Sequence, residues 1–123
     1  VSELAPRIRE LFTALDHAGD LSEAGANAGI RGGEAGREGL GTRVRFTLRI
    51  AEQRLLEVRY RAYGCPHTLA TCEWLARSLE GCRLDALAVG EPIEWAQRLG
   101  VPAAKLGRLL VIEDALRAAL TQL

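Results

Sequence analysis

The sequence predicts an α+β fold, with helices packed on one face of a small antiparallel sheet. Two neighbouring stretches, Arg43–Ala51 and Leu56–Tyr63, alternate apolar and polar residues with a period of two. After Gly64 the apolar period changes to that of a helix and stays so to the end of the chain. Strands come first and helices afterwards, the order of a sheet covered by helices and not of alternating parallel units.

Leu4, Ile8, Leu11, Phe12 and Leu15 recur at helical spacing behind Ser2, a plausible N-cap, so residues 3–17 are expected to form an amphipathic helix. From Gly19 to Gly41 the chain is rich in Gly, Ala, Ser and Asn without a period. A loop so long within a compact domain is uncommon and usually functional or mobile.

The first alternating run sets Val44, Phe46, Leu48 and Ile50 on one face, and Arg43, Arg45, Thr47 and Arg49 on the other. The second sets Leu56, Val58, Tyr60 and Ala62 against Glu57, Arg59, Arg61 and Tyr63. Keeping both apolar sets together requires a hairpin that pairs Phe46 with Tyr60 and Leu48 with Val58. Across the outer face this sets Arg49 opposite Glu57, which is favourable, and Arg45 opposite Arg61, which is not.

Past Gly64, the positions Leu69, Cys72, Ala76 and Leu79 form one helical stripe that Gly81 would end. A short turn is expected around Leu84–Leu87. Glu91–Gly100 has proline near its start and glycine at its end, as short helices do. Val101-Pro102 opens a last helix carrying Leu106, Leu109, Leu110, Leu116 and Leu120. No repeat or second domain is visible, so residues 1–123 are expected to be one domain.

Composition narrows the function. The chain is 48% hydrophobic and 26% charged, in the range of globular proteins and outside that of disordered ones. Its 16 cations and 16 anions cancel, so no global field draws it to nucleic acid or membrane. No apolar run approaches the ~20 residues of a membrane span, and the N-terminus lacks a secretory pattern, so a cytoplasmic location is expected. Three cysteines cannot all pair within one chain, and in that compartment they are thiols, ligands or core filler.

Cys65, His67 and Cys72 lie close together in a chain with only two histidines. Ligands of one tetrahedral Zn²⁺ bring their sulfurs within about 4 Å of each other. If a helix begins near Pro66, Cys65 and Cys72 are separated by roughly 10 Å along its axis, and Cys82 lies roughly 20 Å from its start. The three thiols therefore do not share a metal. Cys72 belongs to the apolar stripe as a small hydrophobe. Cys65 stands where a strand ends and a helix begins, with free N–H groups pointing at it, a position that favours thiolate. His67, one residue into the helix, is expected to be solvated or capping. At two residues' separation its side chain should diverge from that of Cys65, which argues against a Cys–His hydrolase.

Tyr63-Gly64-Cys65, then a helix rich in small residues, then Gly81-x-x-Leu84-Asp85-x-Leu87, resembles the iron–sulfur cluster assembly scaffold family of the IscU and NifU N-terminal type. Val101-Pro-Ala-Ala-Lys105 is similar to that family's Leu-Pro-Pro-Val-Lys stretch, and Glu113–Leu120 to its last helix. The resemblance holds from about Arg43 to Leu120 and is looser over residues 1–42. It implies a three-stranded sheet whose extra strand comes from the Gly-rich segment. It also implies assembly and transfer of a [2Fe–2S] cluster, no conventional enzymatic reaction, and partners such as a cysteine desulfurase or a chaperone, with Val101, Pro102 and Lys105 as candidate partner-binding residues.

The family's cluster ligands are three cysteines and an aspartate. By the resemblance, those positions are Leu40, Thr42, Cys65 and Arg108 here, so one of four keeps its chemistry. No tightly bound cofactor is expected. Iron, zinc or a cluster could engage only Cys65, with His67 as the further metal candidate, as in a Cys₂His₂ set shared by two chains of a homodimer; a monomer would have no such set. The expectation is an accessory sulfur- or iron-handling factor using a single thiol. The alternative is a non-catalytic binding module whose outward arginines, Arg45 and Arg61 among them, hold single-stranded nucleic acid or an acidic protein.

Overall fold

A computed structural model describes residues 4–21 and 29–121. Helix α1 spans Pro6–Phe12, and the strands are β1 (Ile30–Arg37), β2 (Thr42–Ala51) and β3 (Arg54–Tyr63). Three helices follow: α2 (Pro66–Leu79), α3 (Pro92–Leu99) and α4 (Leu106–Leu120). Short 3₁₀ turns cover Glu38–Leu40, Leu84–Ala86 and Ala103–Lys105.

The sheet is antiparallel in the order β1-β2-β3. Phe46 pairs with Tyr60, Leu48 with Val58, Arg49 with Glu57 and Arg45 with Arg61, as the alternation requires. The hairpin turns on Glu52 and Gln53, both at positive φ (53° and 65°), the left-handed pair that matches strand twist in a two-residue loop. An irregularity between Arg49 and Ile50 shifts the pairing, so Ile50 faces Leu55. That shift corrects one expectation: Leu55 is buried and Leu56 is 40% exposed, because one extra residue flips the alternation beyond it.

Helices α2 and α4 cover the inner face, α2 against β3 and α4 against β1 and β2, while α1 rests on α2 and α3 on α4. The core joins Phe46, Leu48 and Val58 of the sheet to Leu75 of α2, Trp95 of α3 and Ile112 of α4. At Gly33 an added Cβ would lie 2.2 Å from the Ala119 backbone nitrogen, so α4 packs directly on β1 backbone there.

Helix α1 is shorter than the expected residues 3–17. It starts at Pro6 behind Ala5 and ends at Phe12; the proposed cap, Ser2, lies outside the described residues. Beyond it the chain turns to line the free edge of β3, where the Tyr60 N–H donates to His17 O and the Gly19 N–H to Tyr60 O. The Leu21 N–H then donates to Thr47 Oγ1, which covers part of the outer sheet face. Backbone pairing at an exposed edge wins over two more turns of marginal helix.

Among the described residues no helix is long and apolar enough to cross a membrane.

Candidate functional site

Strand β3 ends at Tyr63, and Gly64 lets the chain approach the next helix closely: a Cβ there would meet Thr68 Oγ1 at 3.0 Å. Cys65 is the N-cap of α2 in extended conformation, followed by Pro66, whose missing N–H costs nothing in a first turn. The Cys65 carbonyl accepts from Thr68 and Leu69, while its Sγ lies 3.7 Å from Thr68 Oγ1 and 3.9 Å from His67 Nδ1. Partial burial pushes the thiol pKa up. The N–H and hydroxyl of Thr68, the N–H of His67 and the Arg108 guanidinium more than offset this, leaving it below the ordinary value.

His67 departs from expectation in two respects. It is neither solvated nor turned away: only 8% of it is exposed, and Nδ1 faces the sulfur. The backbone turn after the N-cap folds both side chains to the same side. Among the described residues its buried Nε2 has no hydrogen-bond partner. Burial, then Lys105 and Arg108, lower its pKa, so the ring is neutral at pH 7. An unpartnered buried polar atom costs about 1–3 kcal/mol, so this imidazole is not there for stability.

The other positions named by the resemblance, Leu40, Thr42 and Arg108, meet one another at a depression that Cys65 and His67 do not line. Arg108, in the first turn of α4, donates from Nη1 to Thr42 Oγ1 (2.9 Å) and to Gly41 O (3.2 Å). Thr42 is buried at the start of β2, and Leu40 is 71% exposed on the turn before it. Leu40, Thr42, Gly107, Arg108 and Val111 line a shallow depression of about 250 Å³. Arginine thus ties α4 to the β1–β2 connection at the place where the resemblance expects ligands.

These residues do not fit a four-ligand cluster within one chain. Their donors are one thiol and one imidazole beside a guanidinium that already holds the single hydroxyl. Among the described residues no three of His, Cys, Asp and Glu come together as a metal site. Cys72 is fully buried and its thiol pKa is pushed well up by desolvation and by Glu73. Cys82, beyond the far end of α2, donates to the Ser78 carbonyl (3.4 Å). The sequence reading missed Thr68, whose signal is its place three residues past the N-cap, where N–H and hydroxyl both reach back to the capping side chain.

The arginine face is neutralised from within. Arg43 donates to Glu34 (2.8 Å), Arg49 to Glu57 (2.6 Å) and Arg59 to Glu80 (2.8 Å). Arg45 and Arg61, opposite each other in register, share Asp20, which Arg45 meets at 3.6 Å and Arg61 through a direct hydrogen bond. The anion that relieves their repulsion is part of the chain itself.

Residues 4–123 match the family described as the NifU-like N-terminal domain. Among similar proteins is the bifunctional protein NifU/MnmA of Rubrobacter xylanophilus, 40% identical over 98 residues. That alignment covers 79% of this chain but 19% of the relative, so the chain spans about a fifth of that protein's length. The mitochondrial iron sulfur cluster assembly protein 2 of Saccharomyces cerevisiae is 23% identical over 117 residues, covering 94% of this chain and 74% of that protein. The fold is similar to that of a NifU-like N-terminal protein from Brucella abortus, with a TM-score of 0.70 at 15% identity, covering 96% and 92% of the two chains. It is similar too to a SUF-system scaffold protein, described as putative, from Fervidobacterium islandicum, with a TM-score of 0.68 at 16% identity, covering 94% and 95%. With its three-stranded antiparallel sheet, its helices on one face and a family match running through nearly all of its length, this chain belongs to the NifU-like N-terminal domain family.

Proposed function

We propose that this chain is a divergent scaffold-like factor of iron–sulfur cluster assembly that handles sulfur on the single thiol of Cys65, and that it is not an ordinary holder of a [2Fe–2S] cluster. Residues 1–123 act as one domain in this reading, without turnover of a conventional substrate. One observation carries it: of the four positions that the resemblance makes ligands, only Cys65 is a thiol, and N–H donors with Arg108 hold that thiol below its ordinary pKa.

The step it supports is transpersulfidation. The Cys65 thiolate attacks the terminal sulfur of a persulfide, the donor's S–S bond breaks, and its inner sulfur leaves as thiolate. A new S–S bond forms on Cys65, with no net gain or loss of electrons. The family relationship supports a cysteine desulfurase as donor and a chaperone as a further partner, with Val101, Pro102 and Lys105 on the contacting stretch.

Alkylation by iodoacetamide across pH, followed at Cys65 by mass spectrometry, tests the reading. Half-maximal reactivity below that of an ordinary cysteine supports it. A midpoint at or above that value overturns the activated thiol.

A further inference from the structure

The three thiols of the chain stand apart. Cys65 is the half-buried N-cap of α2, Cys72 lies two turns along that helix with none of it exposed, and Cys82 follows the helix's far end. The helical rise puts Cys72 roughly 10 Å and Cys82 roughly 20 Å from Cys65 along the axis. Disulfides join Cα atoms less than about 7 Å apart. A persulfide on Cys65 therefore has no resolving thiol in reach while α2 is intact, and the internal disulfide that would expel its outer sulfur as sulfide does not form. Iron chemistry in place lacks partners as well. Among the described residues no three of His, Cys, Asp and Glu gather as a metal site. Leu40, Thr42 and Arg108, where the resemblance expects further ligands, bring one hydroxyl between them, and Arg108 Nη1 donates to it (2.9 Å) and to Gly41 O (3.2 Å).

We infer that the sulfur taken up by Cys65 is consumed by a second thiol exchange, in which a thiolate of another protein attacks the outer sulfur of the Cys65 persulfide. This rests on the sulfur-handling role of Cys65 and assigns the next reaction of its product. The S–S bond on Cys65 breaks, the Cys65 sulfur leaves as thiolate, and the acceptor keeps the outer sulfur as a new persulfide. One thiolate is used and one is formed, so charge balances without an oxidant, a reductant or iron. The N-cap position suits departure as well as attack. The Thr68 hydroxyl, 3.7 Å from Sγ, can steady the developing thiolate, and a thiol held below its ordinary pKa leaves faster. Half-burial leaves the Cys65 sulfur open to an incoming thiol, whereas Cys72, with none of it exposed, is closed to one.

The test uses the full chain, loaded anaerobically with cysteine persulfide and freed of excess donor, beside its Cys82→Ser variant. Glutathione stands in for the acceptor thiol. Left alone, the loaded chain should keep its added sulfur, and both proteins should behave alike. Glutathione should carry the sulfur off as glutathione persulfide, trapped with iodoacetamide and identified by mass, and leave Cys65 as free thiol. A roughly tenfold rise in glutathione should speed this transfer about tenfold, as attack by an external thiolate requires. Ferrous iron should neither speed the loss nor raise visible absorbance on the chain. Sulfide released without added thiol, with a disulfide from Cys65 to Cys72 or Cys82 left behind, overturns the inference. So does a glutathione adduct on Cys65, which marks attack on the inner sulfur. Both results leave Cys65 as a sulfur-handling thiol. An iron–sulfur chromophore built on the chain, or failure of cysteine persulfide to load Cys65, overturns that reading too.

Discussion

The imidazole of His17 is held between two carboxylates, with Nδ1 2.7 Å from Glu73 Oε2 and Nε2 2.9 Å from Glu80 Oε1. Its backbone N–H also donates to Glu73 Oε1 at 3.0 Å. Each ring nitrogen therefore lies within hydrogen-bond distance of a carboxylate oxygen. This bracket fastens the segment after α1 to α2 and to the edge of β3. It also explains a fully buried Glu73, which takes further bonds from the Tyr60 hydroxyl (2.9 Å) and from Arg77 (2.8 Å).

Acid should therefore unfold the protein through these two carboxylates. Burial alone would raise both pKa values. Arg77, His17 and Tyr60 hold Glu73 below its ordinary value, and the Val58 N–H, His17 and Arg59 do the same for Glu80. A depressed folded pKa contributes stability that is complete above the unfolded value, near 4.5, and is lost as pH falls through the folded one. Urea midpoints should hold steady down to that pH and then fall. In Glu73→Gln the midpoint should be lower at neutral pH and its acid slope shallower. His17→Ala, which strips one bond from the buried Glu73 carboxylate and one from Glu80, should cost about 1–3 kcal/mol.

Asp20 offers a milder case. Asp20→Asn leaves Arg45 opposite Arg61 with a neutral amide between them. All three side chains are more than a third exposed, so solvent screening limits the loss to about 1 kcal/mol or less. Thermal melts should show the difference at low salt and lose it at high salt.

At Gly33 the contact is backbone on backbone and cannot be relieved by a rotamer. Gly33→Ala places a carbon 2.2 Å from Ala119 N and 2.4 Å from Ala115 O, so α4 must move off β1. The cost should be about 3 kcal/mol, the upper end for overpacking. Because α4 carries Arg108, its hydrogen bonds to Thr42 and Gly41 should loosen together with the helix. A lowered melting temperature and a Cys65 alkylation midpoint moved to higher pH would report the two effects in one protein.

Gly33 also explains where the sequence was silent. The hairpin was legible because Val44, Phe46, Leu48 and Ile50 set large apolar side chains at alternate positions of β2, and its register followed from that alternation. Strand β1 has Gly32, Gly33 and Gly36, which present no side chain to alternate; β1 exists because α4 needs a bare surface there, a tertiary fact. Leu56 was misplaced because a pairing shift leaves no mark in a hydrophobic pattern. At the site, the position of Cys65 on a helix N-terminus was legible from Gly64, Cys65 and Pro66. The burial of His67 and its approach to the sulfur were not, since they depend on packing around the start of α2 and not on a local pattern.

If Arg108 fastens the site in the way ligands to a shared ion would, restoring ligand chemistry should restore binding. Leu40→Cys, Thr42→Asp and Arg108→Cys, made together, give Cys65 the thiolate and carboxylate partners that the resemblance assigns to these positions. Leu40, Thr42 and Arg108 line one depression, and the Arg108 charge reaches Cys65, so the variant tests whether the four positions can meet. Three thiolates and a carboxylate suit a tetrahedral Zn²⁺. Removal of the guanidinium also deletes the cation that would repel the metal. The triple variant should bind about one equivalent of Zn²⁺, measured by competition with a chromophoric chelator, and should melt at a higher temperature with zinc than without. Arg108→Cys alone, with two thiols and His67, should bind more weakly. The parent protein should show no zinc-dependent shift, and Cys65→Ser in the triple background should weaken the gain. Equal zinc affinity in parent and triple variant would mean that the four positions do not form one site.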